Sequence, residues 1–183
     1  MSTPTATDER TIGVAVPLPD PYAAELQGWR RDFGDPLAGA IPSHITLLPP
    51  TEVAVAQLAA VEDHLLGVAR AGEPFHVRLR GTATFRPVSP VVFVAVSQGI
   101  SNCETLSKAV RTDPLPNELS YPYHPHVTVA HHLSDEALDH AFAVLADYEA
   151  GFDVTAFSLY EHGTDEVWRP RRSFRLDGGQ PAA

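Results

Sequence analysis

Apolar and polar positions along the chain change period repeatedly, and each change predicts an element. Thr11–Leu18 (TIGVAVPL) alternates and is rich in β-branched residues, which predicts a first strand. Asp20-Pro21 then offers an N-cap followed by proline at the first helical position. Tyr22, Leu26, Trp29 and Phe33 recur at steps of three and four, and Gly34 stops that helix. Residues 35–42 read as a loop. Ser43–Leu48 (SHITLL) reads as a short strand ended by Pro49-Pro50, and 53–71 has helical spacing with Gly72 behind it. Phe75–Leu79 alternates, as does the stretch through Phe85, and Pro87 and Pro90 bracket a turn. Val91–Val96 (VVFVAV) is nearly continuously apolar, as a central strand covered on both faces requires.

A second round follows. Residues 101–111 predict a short helix, 112–125 a loop with four prolines, and His126–Ala130 (HVTVA) a strand. Ser134 caps a helix carrying Ala137, Leu138, Ala141, Val144 and Leu145. Phe152–Tyr160 and Val167–Leu176 close the chain as strands. Strand, helix, His-x-Thr strand, helix and further strands thus occur twice, although the halves share little sequence beyond the triplet. The predicted architecture is α+β and bilobal. Two pseudo-symmetric lobes each carry an antiparallel sheet with outer helices, and an active-site cleft lies between them. Residues 10–177 form this single domain, and residues 1–9 and 178–183 are expected to be disordered ends.

The repeated triplet carries the chemistry. His44-Ile45-Thr46 and His126-Val127-Thr128 begin 82 residues apart (126 minus 44). In a strand, residues i and i+2 share a face. His44 and Thr46 therefore project together, away from the core side taken by Ile45, and His126 and Thr128 do the same opposite Val127. Lobes placed face to face bring two imidazoles and two hydroxyls into one cleft. Histidine titrates near neutrality, so one ring can accept a proton while the other donates one. Threonine hydroxyls can hold the non-bridging oxygens of a phosphate. One His-x-Thr triplet is common by chance; two, each in a β-type segment ahead of a helix, are much less so.

Charge narrows the substrate. The chain has 13 Lys and Arg against 23 Asp and Glu, a formal net charge of -10. Binding to a long nucleic acid depends on neutralising phosphates, so a small phosphate ester or one end of an RNA fits better. The single cysteine, Cys103, excludes an intramolecular disulfide and reads as a buried small apolar residue. No apolar run approaches the ~20 residues that span a bilayer, and the first ten residues lack a signal-peptide core. A cytoplasmic protein without membrane contact is expected.

SHITLLPP (43–50) and YHPHVTVAHH (123–132) resemble the two signature segments of the two-histidine phosphoesterases. That superfamily includes bacterial 2′-5′ RNA ligase-like proteins and cyclic phosphodiesterases. Its pattern is His, any residue, Thr or Ser, then an apolar residue, twice, often with Pro directly before the second His and an aromatic three before it. Pro125 and Tyr123 fill those places, and the resemblance runs from about residue 11 to 176. It implies His44 and His126 as acid and base, Thr46 and Thr128 as phosphate binders, no cofactor and no metal. The implied ligand is a small nucleotide or RNA terminus carrying a 2′,3′-cyclic phosphate or 2′-5′ linkage, and a monomer is the default. One departure stands out: many bacterial members carry Arg soon after the second motif, where this chain has His131-His132.

Other residues qualify the picture. His124, His126, His131 and His132 are poorly spaced for a metal, with no cysteine or carboxylate interleaved. His131, off the strand end, is a candidate for lining the cleft. Tyr123 could stack on a base and is taken as substrate-binding. Arg86, Arg169, Arg171 and Arg172 are the candidates for a basic rim, and Trp168 reads as filler before base platform. His64, His76, His140 and His162 stand outside any motif. Two further readings use the same cleft: a module that binds a nucleotide or RNA end without turnover, and a 2′-5′ RNA ligase, since acid and base exchange roles in reverse. A metal-dependent hydrolase built on the 124–132 histidines is a further alternative.

Overall fold

A computed structural model describes residues 8–178. Its elements, in chain order, are β1 (Glu9–Pro17), α1 (Tyr22–Asp32), β2 (His44–Ala54), α2 (Leu58–Ala71), β3 (Phe75–Thr84), β4 (Val91–Gln98), α3 (Ile100–Val110), β5 (His126–His131), α4 (Asp135–Val144), β6 (Glu149–Val154), β7 (Ala156–His162) and β8 (Trp168–Arg175). They build two four-stranded antiparallel sheets, ordered β2-β1-β7-β8 and β5-β4-β3-β6. The two orders correspond: each His-x-Thr strand is an edge, paired with the strand that opens its half of the chain. The α+β, two-lobed expectation holds.

Burial follows the sequence pattern. β4 lies inside its sheet, and Val91–Val94 are all buried, as its unbroken apolar run predicts. In β2, Ile45 and Leu47 are buried while His44 and Thr46 are half-buried; β5 repeats this with Val127 and Val129 against His126 and Thr128. Period two therefore turns both His-Thr pairs away from the core. The Asp20 carboxylate accepts from Ala24 N at 3.2 Å at the start of α1, and the Ser134 hydroxyl accepts from Ala137 N at 3.3 Å at the start of α4.

The structure departs from the sequence reading in four places. Pro49-Pro50 do not end β2, which runs on to Ala54. β2 is an edge strand, where a missing N–H costs no ladder bond. The register steps from Val14↔Leu48 to Ile12↔Thr51, so the two prolines oppose Gly13 alone in a bulge. As a result α2 starts only at Leu58, after a 3-10 turn at Val55–Gln57. Phe152–Tyr160, read as one strand, is two: β6 pairs with β3 and β7 with β1, in different sheets. The alternating burial of β6 gives way to continuous burial in β7, because β7 lies inside its sheet. Finally, Asp8 and Glu9 do not fray. Glu9 opens β1 opposite Ala54, and the Asp8 carbonyl accepts from Val55 N at 2.8 Å. Gly178 N likewise donates to Gly72 O at 2.9 Å; the rest of the expected loose ends, 1–7 and 179–183, lies outside the described residues.

The lobes are cross-tied. α2 packs on β8 and α4 on β3, β4 and β5, but α1 lies against β5 of the other lobe and α3 against β2. There the fully buried Ser107 hydroxyl donates to the Leu47 carbonyl at 2.7 Å. Cys103 is buried on α3, its thiol pushed up to about 11 by burial, so it offers no nucleophile at neutral pH. Among the described residues no helix is long and apolar enough to cross a membrane.

Candidate active site

β2 and β5 approach each other edge to edge, and their first residues are His44 and His126. Both rings are held in the same way. His44 Nδ1 lies 2.6 Å from the Pro42 carbonyl oxygen, and His126 Nδ1 lies 2.7 Å from that of His124. A carbonyl only accepts, so each Nδ1 carries the hydrogen and each neutral ring keeps its lone pair on Nε2. Each lock uses the carbonyl two residues back, a local arrangement repeated at the entry to each edge strand.

A cavity of about 230 Å³ opens beside this pair, lined by His44, Thr46, Thr128 and His131 among others. That is smaller than the ~300–1,000 Å³ of most ligand pockets, and it suits a small ligand. His126 is not among the lining residues. It sits at the edge of the set with its ring 4.9 Å from Phe85, edge-on, and 5.0 Å from Phe93. His131 meets its expected place in the cleft and stacks on His132 at 3.6 Å between centroids.

Burial dominates the electrostatics. His126 is pushed down to about 4, first by desolvation and then by the neighbouring imidazoles of His124 and His44, against the supporting His124 carbonyl. His44 is also lowered, mainly by burial and further by Arg30, with the Pro42 carbonyl opposing. His131 is lowered as well, by burial and His132. The sequence suggests one neutral and one protonated ring; burial instead holds both rings below the ordinary imidazole range.

Arg30 is a cavity-lining residue that the sequence reading missed. It is 3% exposed and lies on α1, where Nε and Nη2 donate to Asp35 Oδ2 at 3.0 and 2.9 Å and Nη1 donates to the Ile41 carbonyl at 3.1 Å. Asp35 Oδ1 also accepts from Leu37 N at 2.9 Å. Gln27 adds bonds to the Ala38 and Ile41 carbonyls and accepts from the Ser43 hydroxyl. Together they clamp the loop that delivers His44. A signal was present: Arg30 stands four residues after Leu26, on the helix face that also carries Phe33, and a charge on a core-facing stripe needs a buried partner.

The other candidates are distributed differently. The Tyr123 hydroxyl donates to the Thr46 carbonyl at 2.7 Å, and its half-buried ring packs on the core outside the cavity lining. It ties the loop before β5 to β2. None of the four arginines suspected of forming a basic rim lines the cavity. Arg86 pairs with Asp135 and Asp139 of α4, Arg169 with Asp165 in the turn before β8, and Arg171 and Arg172 with Glu62 of α2. His64 bonds the Val110 carbonyl and His76 bonds Asp153, both away from the cleft. Trp168, read as filler, lines the cavity. Among the described residues no group of three or more His, Cys, Asp or Glu is placed to hold a metal ion.

Comparison with known proteins agrees with this fold. A candidate phosphoesterase of Bacillus pumilus is 33% identical over 119 residues, covering 65% of this chain and 69% of that protein. One from Bacillus cytotoxicus is 28% identical over 159 residues, covering 85% and 90%. Escherichia coli LigT complexed with 3′-AMP has the same fold, with a TM-score of 0.68 at 19% identity over 92% of this chain and 99% of that one. LigT structures complexed with NADP+ and with ATP are also similar. The family model described as the 2′-5′ RNA ligase superfamily matches residues 18–166. With the paired His-x-Thr edge strands at its centre, that match covers most of the chain, which belongs to the 2′-5′ RNA ligase superfamily.

Proposed function

We propose that this cleft cleaves phosphodiesters, of 2′,3′-cyclic or 2′-5′ type, by acid–base exchange between His44 and His126 without a metal. The observation that carries the reading is the matched Nδ1 lock, which leaves Nε2 of both rings free for proton transfer. One Nε2 takes a proton from the attacking water as its oxygen bonds to phosphorus. The other, protonated, gives its proton to the departing ribose oxygen as that bond breaks. Thr46 and Thr128 hold the non-bridging oxygens and stabilise the charge that builds on them. With a ribose hydroxyl in place of water as the nucleophile, the same groups in the same roles join ends. The superfamily name speaks for testing that direction too. A net charge of -10 and a small cavity favour a small nucleotide or RNA terminus over a long strand.

The test is hydrolysis of 2′,3′-cyclic mononucleotides, a 2′-5′ dinucleotide and a 3′-5′ dinucleotide in EDTA, with a His44→Ala/His126→Ala control. Turnover of one of the first two, lost in the control, is expected. Dependence on an added metal would defeat the reading.

A pH profile follows from the two lowered rings. The competent free enzyme has one ring protonated and one neutral, and kcat/KM reports the free-enzyme groups. His126 at about 4 and His44 below its usual 6.5 place that form, and the kcat/KM maximum, on the acid side of pH 6.5. The kcat profile is displaced to higher pH, because the bound phosphate raises at least one ring. Steady-state kinetics from pH 4 to 9 checks this; a kcat/KM maximum above pH 7 contradicts it.

A further inference from the structure

β2 and β5 lie in different sheets, and the ladder of one sheet cannot set where a strand of the other stands. Both motif strands carry the same irregularity directly after the threonine. The pairing steps from Ala15↔Thr46 to Val14↔Leu48 in one and from Phe93↔Thr128 to Val92↔Ala130 in the other, which leaves Leu47 and Val129 without an opposite residue. Such bulges bend a strand and re-aim the side chains beside them. On β2 the bulge is gripped from the other lobe. The Ser107 hydroxyl of α3 donates to the Leu47 carbonyl at 2.7 Å, and the Tyr123 hydroxyl donates to the Thr46 carbonyl at 2.7 Å. We infer that Tyr123 and Ser107 are positioning residues: by holding two successive carbonyls at the bulge, they set His44 and Thr46 against His126 and Thr128. The inference rests on the proposed acid–base exchange for its kinetic consequence, whereas the two ties stand without it.

Three observations support it. First, the Tyr123 tie joins the motifs themselves. Thr46 stands two residues after His44, and Tyr123 three before His126. The segment between Tyr123 and His126 also holds the His124 carbonyl, which lies 2.7 Å from His126 Nδ1. One short piece of chain thus orients one ring and grips the strand that bears the other.

Second, the Ser107 tie is buttressed. Arg111 Nε donates to Ser107 Oγ at 3.1 Å, so that oxygen accepts one hydrogen bond while its proton goes to Leu47. Arg111 Nη1 donates to the Asn117 carbonyl at 2.9 Å, and Asn117 Nδ2 donates to Thr51 Oγ1 at 3.2 Å. The loop before β5 is therefore stitched to β2 at Thr51 as well as at Thr46. Third, both hydroxyls are committed away from the ligand. Ser107 is fully buried, and neither residue lines the cavity. Burial also pushes the Tyr123 phenol well above its usual range, so it remains a donor throughout the working pH range.

The test uses the intact protein. Tyr123→Phe keeps the ring and removes one tie; Ser107→Ala removes the other. Steady-state kinetics on the best 2′,3′-cyclic or 2′-5′ substrate are run beside thermal melts and imidazole 1H–15N spectra, with His44→Ala and His126→Ala to assign the signals. In each variant kcat is expected to fall about 10–10²-fold, the scale of a misplacement of ~1 Å, while KM changes by less than about threefold. On a His126→Ala background Tyr123→Phe adds little, because it acts through that ring. Without ligand, Tyr123→Phe shifts the signals of His44 on the opposite strand as well as those of His126, and Ser107→Ala shifts those of His44. Should Ser107→Ala melt below the assay temperature, Tyr123→Phe decides alone. Unchanged kcat in Tyr123→Phe overturns the inference, whether KM stays constant or rises; a rise would make Tyr123 a substrate contact. Wild-type imidazole spectra in the folded variants overturn it too. The two readings fail separately. Displaced His44 signals in Tyr123→Phe, with no turnover by wild type, would sink the phosphodiesterase and keep the ties. Turnover by wild type with kcat unchanged in the variants would do the reverse.

Discussion

Alanine at His44 or at His126 is expected to lower kcat/KM for the best substrate by about 10²–10⁴-fold, the range of a general acid or base step. The fold should survive. Both rings are half-buried at the first residue of an edge strand, and neither is part of the apolar core. Each loses one hydrogen bond, to the Pro42 or the His124 carbonyl, worth roughly 1 kcal/mol. His126 also gives up its contacts with Phe85 and Phe93, so its variant should be the less stable of the two. The kinetic signature is non-additivity. If the rings serve one proton-transfer event, the double variant is little worse than the poorer single variant, because removing either partner already disables the step. Thermal melts alongside the kinetics separate lost chemistry from lost fold. Near-normal turnover by either single variant would rule out the two-histidine mechanism.

The second large effect concerns stability. Asp35→Ala leaves Arg30 charged and 3% exposed with only the Ile41 carbonyl for company. Removing one partner of a buried ion pair costs about 3–5 kcal/mol, which for a chain of this size lowers Tm by on the order of 10 °C. Arg30→Met has a similar cost, since the Asp35 carboxylate, with its side chain fully buried, keeps only Leu37 N as a donor. The double variant Arg30→Met/Asp35→Leu removes both charges and should recover most of the loss, as apolar replacements of buried pairs do. Recovery of stability is not expected to restore activity, because the loop bearing Ile41 and leading to His44 has lost its clamp. Melting curves of the three variants check this. A single variant within 1 kcal/mol of wild type would show the pair to be dispensable.

The lobes differ in how openly the chain announced them. VVFVAV is legible as a central strand because continuous apolarity has few other causes at that length, and β4 is one. The His-x-Thr pairs are legible because period two dictates which side chains share a face, whatever surrounds the strand. Pro49-Pro50 misled for a physical reason: proline stops a strand only where its missing N–H matters, and edge position is a property of the sheet. The segment 152–160 misled because a change of partner at Thr155 leaves no breaker in the sequence; both strands want the same β-favouring residues.

The site shows the same division. His44, Thr46 and Thr128 come together around one cavity and His126 stands at its edge, all from short motifs. Tyr123 instead bonds the Thr46 carbonyl, and the four arginines suspected of forming a rim are matched by carboxylates from other elements. Trp168 becomes a cleft wall only because Gly13 and Ala40, more than a hundred residues earlier, receive it.

By itself the sequence determined the element types, the two-lobed repeat, the faces of both motif strands and the family, all of which rest on spacings of a few residues. Tertiary structure alone decided which strands became edges, that burial lowers both histidines, that Arg30 and Asp35 hold the entry to β2, and what lines the cavity beside the threonines. Those depend on burial and on partners distant in the chain. Desolvation and ion pairing are set by what lies within a few ångströms in space, and local periodicity carries no record of it.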